Sequence, residues 1–157
     1  MNSRERVLAS INHQSPDRVP IDIGATPSSG ISVIAYNNLK KHLELSCGHT
    51  RVYDVVQQLV QPENQFLDRF KVDVLDIGQA FNTEDSDWYD IEVSNGSKAQ
   101  YPKWFKPTQD EKGYWHAYME DGTKIATMPT HATFFDQTCF PWLDGYPDDL
   151  SCLEKDM

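Results

Sequence analysis

An α/β fold is the class this sequence predicts, with βα units in front and an antiparallel meander behind. Three observations predict it. Two short apolar runs, over 19–24 and 72–78, each reach Asp-Ile-Gly and then open into a polar loop. Sequence of helical spacing fills the interval between them. After residue 82, aromatic strand-like pieces alternate with the turn dipeptides Asn95-Gly96 and Asp121-Gly122. Buried parallel strands read as Val/Ile/Leu runs closed by turn residues. The loops after such strands are where α/β folds place their chemistry.

The elements follow in order. Residues 3–14 read as a helix with Val7, Leu8 and Ile11 on one face and Ser3 placed to cap it. Pro16 ends it, and a first strand runs over 19–24. Ile31, Ile34, Ala35, Leu39 and Leu43 repeat at helical spacing, and Gly48 can take the left-handed stop. Residues 54–60 suit a short helix through Val55, Val56, Leu59 and Val60. Pro62 opens another over 63–70, since the amide proline lacks would be unpaired in a first turn. The second Asp-Ile-Gly strand follows. Strands are then expected over 88–93, 98–105, 114–119 and 123–128, because both Gly dipeptides accept the positive φ of tight hairpins. Helical sequence returns over 148–155.

Composition narrows the partners. The 157 residues carry a formal charge of −10. That balance argues against nucleic acid and anionic membranes, which need clustered Lys and Arg. Cys47, Cys139 and Cys152 form no CxxC pair, which fits a reducing compartment. The opening Met-Asn-Ser-Arg-Glu-Arg-Val lacks a signal peptide's apolar core, and no stretch reaches the roughly 18 apolar residues of a membrane span. A cytoplasmic protein acting on a small-molecule substrate is the expectation.

Two βα strands do not complete a barrel, which takes about 250 residues. The expected architecture is the N-terminal portion of a TIM (β/α)8 barrel with an inserted antiparallel β meander. Its parts are partial-barrel βα units over 1–83, the β insertion over 84–147, and the start of a truncated helix over 148–157.

Three segments carry a family resemblance: Ser3-Arg4-Glu5-Arg6-Val7-Leu8, Pro16-Asp17-Arg18-Val19-Pro20, and Leu67-Asp68-Arg69-Phe70-Lys71-Val72-Asp73-Val74. In that order they resemble the uroporphyrinogen decarboxylase superfamily, which includes the cobamide-dependent methyltransferases. Asp121-Gly122-Thr123, Met128-Pro129 and the run from Ala132 to Gln137 look like an insertion in one branch of it. The decarboxylases' arginine motif after the first strand falls here on Ala25 and Ser29, and their aspartate after the second falls on Ala80. A neutral loop cannot make bidentate contacts to carboxylates. The resemblance therefore implies methyl transfer between a corrinoid and a thiol rather than porphyrinogen decarboxylation, with this fragment inactive alone. It also implies a corrinoid protein as partner. Zinc and a corrinoid would belong to the intact protein, with no cofactor bound by this chain.

The candidate pocket residues stand at the ends of the two expected strands. Asp22 and Asp76 are acids in apolar runs, where a carboxylate needs a partner or solvent. Thr26, Ser28 and Ser29 can bond a ligand, or simply cap and turn the chain. Gln79 and Asn82 are amides beyond the second strand, facing a ligand or solvating a loop. No residue is assigned a catalytic role. His42 and His49 bracket Cys47 without the spacing of a metal site, so no metal ligands are assigned. A different class stays open: a non-catalytic ligand-binding module built on the aromatic meander, whose rings serve either as a stacking surface or as the core of a small sheet.

Overall fold

Helix α1 (Ser3–Ile11) is capped one residue earlier than expected. Asn2, not Ser3, accepts from the Glu5 amide at 2.8 Å, and the Glu5 carboxylate accepts from the Asn2 amide at 2.9 Å. This reciprocal pair satisfies two amides the helix leaves open. Helix α2 (Val33–His42) is capped by Ser32, and Lys40, Lys41 and His42 in its last turn face the negative end of the helix dipole. Helix α3 (Asn64–Phe70) stops at Lys71, which takes the left-handed conformation at φ 52°. The computed structural model describes residues 1–45, 48–77, 84–140, 143 and 145. The helix expected over 148–155 lies outside them.

Among the described residues, eight strands form two sheets of four. They are β1 (Arg51–Asp54), β2 (Leu59–Gln61), β3 (Trp88–Glu92), β4 (Lys98–Pro102), β5 (Thr108–Gln109), β6 (Trp115–Tyr118), β7 (Lys124–Met128) and β8 (Asp136–Gln137). The first sheet is ordered β2-β1-β4-β3, antiparallel except where β1 meets β4 through the parallel pair Arg51–Gln100. The second is ordered β5-β6-β7-β8 and is antiparallel throughout. The β3–β4 and β6–β7 hairpins turn at the two predicted dipeptides, with Gly96 at φ 79° and Gly122 at φ 88°.

The core follows from strand alternation. Val52, Val60, Ala99 and Tyr101 are buried on one face of the first sheet, and Tyr36 and Phe66 belong to the same cluster from α2 and α3. The Tyr36 and Phe66 rings lie 4.8 Å apart, and Phe66 lies 4.7 Å from Phe70. Buried Tyr36 keeps its hydroxyl satisfied by donating to Glu63 at 3.0 Å and accepting from the Glu63 amide at 3.1 Å. The second sheet joins the core through Ala117, Ala126 and Met128. Phe105 and Phe135 form the seam, with ring centroids 5.5 Å apart.

The expected barrel portion is not what forms. The described residues are mostly β, in two largely antiparallel sheets with three short α-helices, and they are not part of a (β/α)8 barrel. The runs over 19–24 and 72–78 do meet in parallel, but only as the single bridge Asp22–Val74. The helix expected over 54–60 is a hairpin turn between β1 and β2. Asp54 accepts from the amides of Val56 and Gln57 at 3.0 and 2.8 Å, as a helix cap would, but Gln58 at φ 58° turns the chain back into β2. Seven residues rich in Val gain more from pairing as strands than from one or two helical turns.

An ionic knot holds the front of the chain to this frame. The Asp73 side chain is 0% exposed and lies between Arg6 and Arg18, while the Ile21 amide donates to it at 2.9 Å. Arg6 also bonds Asp17 at 2.6 Å. Burial alone would raise the Asp73 pKa, but the bonds from Ile21, Ser3, Arg18 and Arg6 outweigh it and hold the carboxyl well below the usual range. Asp17 is also held low, first by its bond to Arg6.

Two outcomes follow. Phe66→Ala removes a ring from the centre of the helix–sheet layer and is expected to cost about 3–5 kcal/mol in urea denaturation, whereas Ile77→Ala, at a 96% exposed residue, should stay within about 0.5 kcal/mol. The stability supplied by Asp73 is fully present above the ordinary carboxylate range, near pH 4, and is lost as pH falls toward its lower folded value. Asp73→Asn should lower the Tm at pH 7 and flatten the fall of Tm between about pH 5 and 2. A variant as acid-sensitive as the parent would show that the knot does not govern acid unfolding.

Candidate functional site

A concave space of about 510 Å³ lies between the two sheets, under the start of α2. Alternation along β3 sends Tyr89, Ile91 and Val93 to one face, and register places Tyr101 of β4 opposite Tyr89. The second sheet supplies Trp115 and Met128, which pair across β6 and β7. Val33 and Ile34 close the wall from α2. Volumes of roughly 300–1,000 Å³ with apolar and aromatic walls are typical of small-ligand sites.

The buried polar group at this cavity is Gln58. It is 2% exposed, and it ends the β1–β2 turn in the left-handed region at φ 58°. A residue with a side chain holds that conformation at a cost of about 1–2 kcal/mol and needs support. Three bonds supply it. The Val33 amide donates to its carbonyl at 2.9 Å, the Tyr101 hydroxyl donates to its Oε1, and its Nε2 donates to the Val55 carbonyl. Burial pushes the Tyr101 phenol far above its ordinary pKa, and the bond to Gln58 only partly opposes this. Tyr89 is raised by burial too, and its hydroxyl donates to the Phe105 carbonyl at 2.7 Å. Both phenols are neutral at physiological pH, and among the described residues no Lys, Arg or His lines the cavity. Its one acid, Glu92, is solvent-exposed.

The residues singled out from the sequence lie elsewhere. Asp22 is exposed and accepts from the Ala25 amide at 3.0 Å. Thr26 and Ser29 bond each other around the 3-10 turn Pro27–Ser29, with the Ser29 hydroxyl donating to the Thr26 carbonyl at 3.1 Å. Ser28 is exposed at the same turn. Asp76 lines a smaller cavity of about 170 Å³ with Ile23, Gly24, Ala25 and Gln61. Gln79 and Asn82 lie outside the described residues.

Asp22 and Asp76 do come near one group that sequence reading passed over. The Tyr53 hydroxyl is, among the described residues, the one buried side-chain polar atom without a hydrogen-bond partner. Its pKa is raised first by burial and then by Asp54, Asp76 and Asp22. A second grouping arises only from strand register. His116 sits between Asp110, 3.0 Å from its Nε2, and Thr127, 3.1 Å from its Nδ1. The bond to His116 is the first cause holding Asp110 below the usual carboxylate range. Among the described residues no group of three His, Cys, Asp or Glu side chains could hold a metal ion.

The fold and cavity define a small, mostly β protein with an inter-sheet pocket. No family model, curated protein or solved structure matches the chain.

Tyr101→Phe strands the Oε1 of buried Gln58 and is expected to cost about 1–3 kcal/mol in chemical denaturation. Tyr53→Phe removes an unsatisfied hydroxyl and should be neutral or stabilising in the same measurement. Equal losses from the two would contradict these hydrogen-bond assignments.

Proposed function

We propose that this chain is a non-catalytic ligand-binding module built on the aromatic meander. The observation that carries the reading is the inter-sheet cavity of about 510 Å³, walled by Tyr89, Tyr101, Trp115 and Met128. Aromatic and aliphatic walls bury a ligand's apolar surface, and a few polar groups orient it. Methyl transfer, the reading that follows from the family resemblance, would draw on Asp22 and Asp76. Asp76 lines a cavity of about 170 Å³, and Asp22 already serves its own turn. The larger cavity is the better supported place for a small molecule.

The test uses the uncharged fluorophore N-phenyl-1-naphthylamine with the full chain. Its fluorescence is expected to rise saturably. Ile34→Trp, a partly exposed wall position on α2, should weaken the binding at least tenfold without changing the thermal melt, and Ile91→Trp should repeat the effect from β3. An absent rise, or a rise indifferent to both substitutions, would sink the reading.

A further inference from the structure

The hydrogen bonds around the cavity restrict what it can hold, beyond the fact of holding something. A phenol has one proton to give and lone pairs to accept with. Tyr101 gives its proton to Gln58, and Tyr89 gives its proton to the Phe105 carbonyl. Gln58 in turn spends its Oε1 on Tyr101 and one amide hydrogen on Val55. Whatever part of the two tyrosine hydroxyls meets a ligand can therefore only accept. Among the described wall residues, the second amide hydrogen of Gln58 and the indole N–H of Trp115 are the donors left over, while Ser94, Gln109 and Thr133 are solvent-exposed.

Charge narrows the choice further. With no Lys, Arg or His among the described wall residues, a carboxylate or phosphate would lose its hydration and find no countercharge there. A cation would meet only exposed Glu92. Alternation along β3 places that side chain on the opposite face from Tyr89, Ile91 and Val93. Three aromatic side chains, Tyr89, Tyr101 and Trp115, favour a flat ring.

We propose that the cavity selects an uncharged aromatic molecule bearing an N–H or O–H donor, recognised by the acceptor-only oxygens of Tyr89 and Tyr101. The proposal rests on the ligand-binding reading above and names the ligand class of the same site. It differs from generic apolar binding in one measurable respect. A ring that keeps its shape but loses its donor should leave the committed phenols without a bond, and should bind less well.

Three probes separate the possibilities: indole, its donor-free isostere benzofuran, and the anion indole-3-acetate. Each is titrated into the full chain carrying 13C at its methionine methyls. Four methionines give a sparse spectrum, and Met128 belongs to the cavity wall. Indole is expected to shift the Met128 signal saturably, benzofuran to need at least tenfold more ligand, and indole-3-acetate to leave it unmoved at indole's half-saturating concentration. Tyr89→Phe should bring the indole and benzofuran affinities closer together, with Tyr101→Phe as the companion variant where it folds. Equal binding of indole and benzofuran by the parent chain would overturn the donor assignment and leave the cavity as a binding site. Preferred binding of indole-3-acetate would overturn the uncharged class. If no probe moves Met128, the ligand-binding reading falls together with this one.

Discussion

The conformation of Gln58 is the constraint on which the described fold turns. A left-handed glutamine at φ 58° closes the hairpin that delivers β2 back to β1. Its carbonyl fixes the first amide of α2, and its side chain fixes Tyr101 in the neighbouring strand pair. One buried residue thus ties a turn, a helix start and the floor of the cavity to one another. Removing any one bond would expose the strain of the others, because a half-satisfied buried network is costlier than an apolar one. The inter-sheet cavity takes part of its polar character from the same residue, as the direction of the Tyr101 proton is set by where Gln58 can accept.

Local features were legible in the sequence and long-range ones were not. Helices α1, α2 and α3 announce themselves by apolar spacing, and the two Gly dipeptides fix their hairpins. The 54–60 stretch misled because Val and Leu at those spacings fit a helix and a hairpin equally well. The deciding feature was Gln58 in the left-handed region, which turns β2 back onto β1. The two Asp-Ile-Gly runs suggested parallel strands and a barrel, yet they meet only at Asp22 and Val74. The cavity residues were hidden for a related reason. Tyr89, Tyr101, Trp115 and Met128 look like ordinary strand aromatics and core until the pairing of distant strands places them around one space. Gln58 carried a faint signal, as a polar residue between Val55-Val56 and Leu59-Val60, but nothing local marks it as left-handed.

The segments that carry the family resemblance have a structural meaning of their own. Arg6, Asp17, Arg18 and Asp73 come from its three pieces, and they are the residues that join in one ionic knot. Buried ion pairs of this kind are costly to break, because removing one partner leaves the other charge stranded. The resembling residues therefore describe how the opening helix and the two Asp-Ile-Gly runs dock. They lie away from the wall of the larger cavity, where the proposed chemistry of recognition sits.

The parallel seam between β1 and β4 has a consequence for the order of folding. Arg51 and Gln100 stand 49 positions apart in the chain, and both partner strands are otherwise held by near neighbours. Closing a loop of that size costs more entropy than turning either hairpin. The β1–β2 and β3–β4 hairpins can each form from contacts close in sequence, while the seam waits for both. The step that builds the first sheet is then the meeting of two preformed hairpins. Until it happens, Tyr101 has no Gln58 to bond, and the space between the sheets does not yet exist.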